Sequence, residues 1–280
     1  MKIVETVNEV REEIKAWRKQ GLSIGFVPTM GYLHEGHKSL IDLAVAENDK
    51  VVVSIFVNPM QFGPTEDFSN YPRDLERDVL LCKEAGANLI FHPEKEELYF
   101  EDFSTYVDMN TLTNGLCGKT RPTHFRGVCT VVLKLFNIVT PDKAYFGQKD
   151  AQQLAVIRHM IRDLSIDIDI VRCPIIREED GLAKSSRNTY LNEQERQAAT
   201  IINKALTKGK ELVKDKKMDV EGIKQTIIQM IESEPCAKID YVEIVDSNSL
   251  DPVETIEGPI LTAVAVYIGT TRLIDNFIVE

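Results

Sequence analysis

Residues 22 to 57 constrain the fold more than any other stretch of the chain. An apolar run, Leu22 to Val27, leads through a loop into a segment of helical period (Leu40, Ile41, Leu43, Ala44), and a β-rich run, Val51 to Val57, follows. A strand, a Gly-containing loop, a helix and a strand within about thirty residues is the size of a nucleotide-binding βαβ unit. The loop reads Pro28-Thr29-Met30-Gly31-Tyr32-Leu33-His34-Glu35-Gly36-His37. Its two imidazoles stand three positions apart at the opening of the helix, split by a glycine. Backbone N–H groups and the helix dipole favour a phosphate there.

The rest of the first half extends the alternation. Helical period over Asn8 to Arg18 turns Val10, Ile14 and Trp17 inward, with Asn8 as the N-cap, and Gly21 leads into the first strand. Asn58-Pro59-Met60-Gln61-Phe62-Gly63-Pro64 breaks regular structure beyond a strand's carboxyl end, the edge where open α/β sheets bind ligands. Asp74 to Ala85 reads as a helix with Leu75, Val79 and Cys82 inward, stopped by Gly86 and followed by a strand, Leu89-Ile90-Phe91. Residues 103–109 read as a further strand, Gly127 to Val139 as a helix ending before Pro141, and Lys143 to Gly147 as a buried strand. A helix over Asp150 to Leu164 and a strand over Ile166 to Val171 complete the series. The fold class is α/β, Rossmann-like, with a mostly parallel sheet and helices on both faces.

The pattern changes near residue 177. A charged, hinge-like stretch, Arg177-Glu178-Glu179-Asp180-Gly181, precedes two polar-faced helical patterns, at 193–214 and 219–233. A Lys-rich connection, Lys214-Asp215-Lys216-Lys217, joins them. Strand-like runs Ile239–Val245, Ile260–Ile268 and Arg272–Val279 follow. Helices and then consecutive strands give a smaller C-terminal α+β domain with an antiparallel sheet. The expected division is therefore 1–176 and 177–280.

Composition narrows the partners. Over 280 residues the net charge is 33 − 44 = −11, which argues against a nucleic-acid surface but leaves room for a few cations around a small anion. No apolar run approaches the ~20 residues that span a bilayer, and the amino terminus lacks the pattern of a secretory signal. The five cysteines, Cys82, Cys117, Cys129, Cys173 and Cys236, are scattered singly, as reduced thiols in a cytoplasmic protein are.

Three constellations carry chemistry. His34 and His37 lack the spacing and company of a zinc site, which needs three or four ligands. As incidental surface histidines they would need no account, but the preceding strand, the Pro-Thr-Met-Gly loop and Gly36 favour a phosphate contact. Neither a Walker A loop nor a G-x-G-x-x-G occurs in the chain. Gly181-Leu182-Ala183-Lys184-Ser185-Ser186-Arg187-Asn188 brackets two hydroxyls with two cations, a composition suited to polyphosphate; alone it reads as a solvated turn with a Ser N-cap. Phe146-Gly147-Gln148-Lys149-Asp150-Ala151-Gln152-Gln153 lies where a strand meets a helix. There Lys149 could reach a phosphate and Asp150 a ribose hydroxyl, or Asp150 merely caps the helix. Gln61 and Gln153 are neutral amides able to donate to and accept from a hydroxy-acid.

The His-x-Gly-His motif and the Lys-Ser-Ser-Arg loop resemble the nucleotidyltransferase superfamily that includes class I aminoacyl-tRNA synthetases. Within it, Pro28-Thr29-Met30-Gly31, Val53 to Phe62, His124-Phe125-Arg126-Gly127-Val128, Ser185 to Asn188 and Arg272-Leu273-Ile274-Asp275-Asn276 resemble the pantothenate synthetase (pantoate–β-alanine ligase) family over essentially the whole chain. The resemblance implies a two-step ligation: pantoate attacks the α-phosphate of ATP to give pantoyl adenylate and pyrophosphate, and β-alanine then releases AMP. By resemblance His34 and His37 contact the phosphates, with Met30 and Gly36 lining the nucleotide site. Lys149, Ser185, Ser186 and Arg187 hold the polyphosphate with Mg²⁺, and Gly147 and Asp150 face the ribose. Gly31, Tyr32, Leu33, Glu35, Gln148, Ile176 and Lys184 complete the ATP-binding set. Gln61 and Gln153 grip pantoate, with Asn58, Tyr71 and Arg121 as further substrate contacts. The family also implies a homodimer and no metal held by the protein alone.

Three positions depart from the family pattern: Gln148 where Glu is common, Ala151 where an aromatic is common, and Lys184 where Met or Leu is common. Lys184 adds a cation to the Ser-Ser-Arg loop and is expected to strengthen ATP or pyrophosphate binding. The alternatives are another adenylyl- or cytidylyltransferase of the superfamily and a nucleotide-binding module without catalysis.

Overall fold

The computed structural model describes residues 1–64, 66–216 and 218–280; Lys217, the last residue of the expected Lys-rich connection, lies outside them. Local hydrogen bonding sets the first boundary. A short strand, β1 (Lys2–Val4), precedes helix α1 (Val7–Arg18), and Thr6 rather than Asn8 is the N-cap. Thr6 Oγ1 accepts from Glu9 N at 3.3 Å while Glu9 Oε2 accepts from Thr6 N at 3.1 Å, a reciprocal box that Asn8 could not form. Val10, Ile14 and Trp17 face inward as their period requires.

Strand β2 (Ile24–Thr29), helix α2 (Glu35–Glu47), strand β3 (Lys50–Ile55), helix α3 (Leu75–Glu84) and strand β4 (Leu89–Phe91) follow. Next come α4 (Lys95–Leu98), α5 (Leu116–Thr120), α6 (His124–Val139), β5 (Lys143–Gly147), α7 (Ala151–Asp163) and β6 (Asp169–Cys173). The strand expected at 103–109 does not form. Its donors go elsewhere than to a ladder: Phe103 N donates to Phe100 O at 3.0 Å, Val107 N to Thr130 Oγ1 at 3.0 Å and Met109 N to Asp108 Oδ1 at 3.1 Å.

Among the described residues these strands form a six-stranded parallel sheet in the order β1-β4-β3-β2-β5-β6, with helices on both faces. From β2 the chain winds outward through β3 and β4, then returns to place β5 on the other side of β2. The winding reverses there, and in open α/β sheets ligands bind beyond the carboxyl ends of the strands at such a reversal. The carboxyl ends in question are Thr29 and Gly147. Val27, Ile41, Ala44, Val51, Val53 and Ile90 pack into one apolar cluster of this unit.

Internal packing divides the chain into two compact units, 1–110, 121–147 and 156–174 in the first, and 111–120, 148–155 and 175–280 in the second. In the second, α8 (Glu193–Ala198), α9 (Thr200–Asp215) and α10 (Val220–Glu232) precede strands β7 (Ala237–Asp246), β8 (Ile260–Ile268) and β9 (Thr271–Val279). The single helix expected over 193–214 is broken at Ala199, whose φ of −57° and ψ of −22° tighten the turn so that Ile202 N bonds Ala199 O. The three strands form an antiparallel sheet in the order β7-β8-β9. Ile223, Ile227 and Ile231, one stripe of α10, are fully buried with Val264, Val266 and Ile268 of β8 in the core of this unit.

The first turn of α6 approaches the end of the β3 loop so closely that no side chain fits between them. A Cβ on Gly127, in that turn, would run into the carbon and oxygen of the Met60 carbonyl. Only glycine lets the helix lie against the 3-10 turn Pro59–Gln61. Gly127→Ala should therefore destabilise the first unit by about 2–3 kcal/mol, the cost of forced overpacking, read as a lower urea midpoint at unchanged slope.

Candidate active site

The loop after β2 is locked before it reaches the histidines. Thr29 Oγ1 donates to Ser54 O at 2.8 Å and accepts from Gly31 N at 3.2 Å. Gly31 and Tyr32 then both adopt positive φ, +81° and +51°. For Tyr32 this left-handed conformation costs about 1 kcal/mol, so the surroundings must hold it. Asp78 does so: its Oδ2 accepts from Tyr32 N at 2.8 Å and its Oδ1 from Leu33 N at 2.6 Å. The Arg77 guanidinium stacks over the Tyr32 ring at 4.8 Å. Leu33, expected among the nucleotide contacts, sends its side chain into the core and is fully buried.

His34 is the N-cap of α2, with extended backbone. Its Nδ1 accepts from Gly36 N at 3.1 Å, and His37 Nδ1 accepts from His34 N at 3.3 Å. The two imidazoles thus make the reciprocal box that a Ser–Glu pair makes elsewhere. Because each Nδ1 is an acceptor, the proton of each neutral ring resides on Nε2. The helix start therefore presents two Nε2–H donors from rings whose centroids lie 4.1 Å apart. The Gly36 amide is engaged by His34.

Beyond β3, Asn58 organises a second group in the same unit. It is 1% exposed, and its amide is saturated: Nδ2 donates to Gln61 Oε1 and Gly127 O, both at 3.1 Å. Its Oδ1 accepts from Met60 N at 3.3 Å and from the Tyr99 hydroxyl at 2.9 Å. Asn58 thereby holds Gln61. Among the described residues Gln61 Nε2 reaches a weak acceptor, Met30 Sδ at 2.9 Å, so a hydroxyl or carboxylate would be a better partner. The Gln61 carbonyl accepts from Arg121 at 3.2 Å and meets His124 Nδ1 at 2.9 Å. Arg121 also forks onto Glu66, at 2.8 Å through Nε and 2.5 Å through the guanidinium end. Burial opposes the charge on Glu66, but the Arg121 guanidinium holds its carboxyl below the usual range. Tyr71 is buried against Phe62 at 5.8 Å between ring centroids.

Gly147 closes β5 in the first unit. The second unit gathers the other expected residues, beginning with the 3-10 turn Gln148–Asp150. Asn276 of β9 holds this turn, its Nδ2 donating to the Gln148 and Lys149 carbonyls at 3.0 Å each. Lys149 Nζ lies 3.7 Å from Asp150. Gln153 follows in the first turn of α7 and is half-buried. Arg177 forks onto Asp275, itself 3% exposed, at 2.6 and 3.0 Å. This anchors the bend in which Lys184 N donates to Ile176 O at 2.9 Å. Ser185 is an N-cap, its Oγ accepting from Arg187 N at 3.3 Å, with Ser186 buried behind it. Lys184 Nζ lies 3.1 Å from Glu178.

Sequence reasoning passed over Asp78, Asn276, Asp275 and Arg177. The string Arg272 to Asn276 marked the second and third of these without a role; Asp78 carried a signal only as an acid inside an apolar stripe. Burial pushes the Asp78 carboxyl up from its ordinary value against the two backbone donors that favour its charge. It likewise pushes the Cys82 and Cys129 thiols up to about 12 and Cys173 up to about 11, which leaves them inert as nucleophiles.

The family described as Pantoate-beta-alanine ligase matches residues 2–278. A pantothenate synthetase of Enterococcus faecalis is 62% identical over 280 residues, covering 100% of this chain and 99% of its own. The crystal structure of pantothenate synthetase from Thermus thermophilus superposes with a TM-score of 0.93 at 44% identity, covering 99% of each chain. A pantoate-beta-alanine ligase from Francisella tularensis, complexed with beta-gamma ATP and beta-alanine, superposes with a TM-score of 0.82 at 35% identity, covering 99% of this chain and 97% of its own. With the parallel sheet, its reversal at β2 and β5 and the imidazole-capped helix, these likenesses lead to one conclusion. The chain belongs to the pantoate–β-alanine ligase family and is a ligase that forms the carbon–nitrogen bond of pantothenate, with ATP, through a pantoyl adenylate.

Proposed function

We propose that His34 and His37 stabilise the adenylation transition state, and that the capping arrangement of α2 carries this role. In the first step a pantoate carboxylate oxygen bonds to the α-phosphorus of ATP and pyrophosphate leaves. Negative charge builds on the phosphate oxygens, and preorganised donors aimed at such charge lower the barrier. The two Nε2–H groups are such donors, fixed before ATP arrives because each Nδ1 is already engaged. In the second step the β-alanine amine attacks the mixed anhydride, AMP leaves with the bonding pair, and the ammonium proton is lost. Both nucleophiles come from substrates, so the protein's contribution is position and electrostatics.

The remaining roles belong to the same proposal. Gln61, held by Asn58, grips pantoate together with Gln153; Tyr71 and Arg121 support that grip through the 61–66 segment. Lys149, Ser185, Ser186 and Arg187 hold the polyphosphate, with Met30, Gly31, Tyr32, Glu35, Gly36, Gly147, Gln148, Asp150, Ile176 and Lys184 completing the nucleotide contacts, and Leu33 supporting them from the core. The hydroxyls of Ser185 and Ser186 and the Asp150 carboxylate are hard oxygen donors, which suit Mg²⁺ held mainly by ATP phosphates and water. When bound, Mg²⁺ neutralises phosphate charge. In chain order, 1–176 is the nucleotide- and pantoate-binding part, and 177–280 begins with the Lys184–Arg187 loop. The reading extends to a homodimer in the cytoplasm. Among the described residues no helix is long and apolar enough to cross a membrane.

The decisive assay is pantoate-dependent ATP–pyrophosphate exchange, followed by AMP release on adding β-alanine. Absence of exchange in folded protein would overturn the residue roles; a nucleotide conjugate as product would point to another transferase of the superfamily. His34→Asn keeps an N-cap side chain but removes the Nε2–H donor. It should lower kcat for adenylation on the order of 10²–10³-fold, with a melting temperature near that of the wild type. Lys184 is already paired with Glu178, so phosphate must compete for it. Lys184→Met should raise the ATP KM about fivefold with kcat unchanged, the effect of one solvent-screened charge. Unchanged steady-state constants would show that Lys184 serves only its partner.

A further inference from the structure

Successive backbone N–H groups in a turn can point to one side and make a concave arrangement that cradles an anion. Gly31 and Tyr32 form it here, within a few residues of the imidazoles assigned to phosphate. The anion it holds is the protein's own: both Tyr32 N and Leu33 N donate to Asp78, at 2.8 and 2.6 Å, and Asp78 is 1% exposed. With that cradle filled by a carboxylate, phosphate is left to the ring donors. The same bonds tie the turn immediately before α2 to α3, from which the Arg77 guanidinium also stacks over the Tyr32 ring at 4.8 Å, and the bond from Gly31 N to Thr29 Oγ1 at 3.2 Å lies at the start of the left-handed pair.

We infer that Asp78 is a positioning residue for adenylation: by accepting the Tyr32 and Leu33 N–H groups it fixes the turn from which α2 departs, and so the direction in which His34 and His37 present their Nε2–H donors. The inference rests on the proposed role of the two histidines. It assigns to Asp78 no contact with substrate. A carboxylate is required because both partners are donors: in Asp78→Asn the amide nitrogen would face one of the two N–H groups.

Asp78→Asn should lower kcat for pantoate-dependent exchange on the order of 10- to 100-fold, the usual consequence of a small misplacement of catalytic groups. The KM values for ATP and pantoate should stay within about threefold. The imidazole ¹⁵N spectrum should change as well, His34 and His37 losing the single Nε2–H tautomer, which a merely stabilising role would leave intact. Gly31→Ala approaches the same contact from the loop, since its Cβ would lie 3.0 Å from Asp78 Oδ2, without altering buried charge. It should reproduce the kcat loss even where Asp78→Asn does not fold. A folded variant of either kind with kcat within about twofold of wild type and unchanged imidazole shifts would overturn the inference. Wild-type protein without exchange would instead overturn the histidine reading, and with it the step Asp78 is said to serve.

Discussion

A helix begins with N–H groups that have no partner within it, and α2 meets that need with imidazole nitrogens. Most of the site's order follows. Engaging both Nδ1 atoms settles where each ring carries its proton, and the short span of the cap brings the rings to 4.1 Å. A Ser–Glu box would satisfy the same helix without any ring N–H. The same two side chains meet the structural requirement and carry the proposed chemical one. The loop that delivers them must end at a fixed angle, which explains why a residue as large as Tyr32 is held at positive φ by two backbone bonds to a buried acid.

The second unit applies the same logic with different groups. Its expected ligand contacts lie on irregular backbone, a 3-10 turn at 148–150 and a bend at 176–187 closed on itself by a single antiparallel bridge between Arg177 and Ala183. Both are tied to β9, the last strand of a well-packed antiparallel sheet. Asn276 takes two carbonyls of the turn, and Asp275 takes the Arg177 fork. A fork of two charge-assisted bonds onto a carboxylate that is 3% exposed restrains orientation as well as distance. Adjacent strand residues point to opposite faces, so these neighbours serve two different loops. The guanidinium calls for an acid and the carbonyls for an amide donor, and the pair supplies one of each.

Hydrophobic period made the sheet and most helices legible, because burial of one face is a property of the segment itself. β4, β5, β8 and α10 needed nothing else. Features that depend on a partner were not legible. Thr6 caps α1 because Glu9 stands three residues on, a signal present but outweighed by the more familiar Asn8. Leu75, expected inward, is 38% exposed, while Asp78 takes the inward position because two amides from a distant loop await it. At the site, residue types pointed to His34, His37 and Gln61, but not to which atoms are available. Asn58 entered as a substrate contact only by resemblance, and its amide makes four hydrogen bonds to protein, one of them to Gln61.

The departures from the family pattern follow the same distinction between a residue's type and its engagement. Gln148 Nε2 donates to Asn276 Oδ1 at 3.3 Å, while Asn276 Nδ2 donates back to the Gln148 carbonyl. Glutamate could not donate to that oxygen, so the amide closes a reciprocal link with β9 that a carboxylate would leave open. The substitution removes a negative charge from a turn expected to meet phosphate and strengthens the tie that orients Lys149. Lys184 works in the opposite sense, since it brings a charge but arrives with Glu178 as its counterion. The net change near the Ser-Ser-Arg loop is therefore smaller than the cation alone suggests. Its effect on nucleotide binding depends on how readily the carboxylate yields to a phosphate.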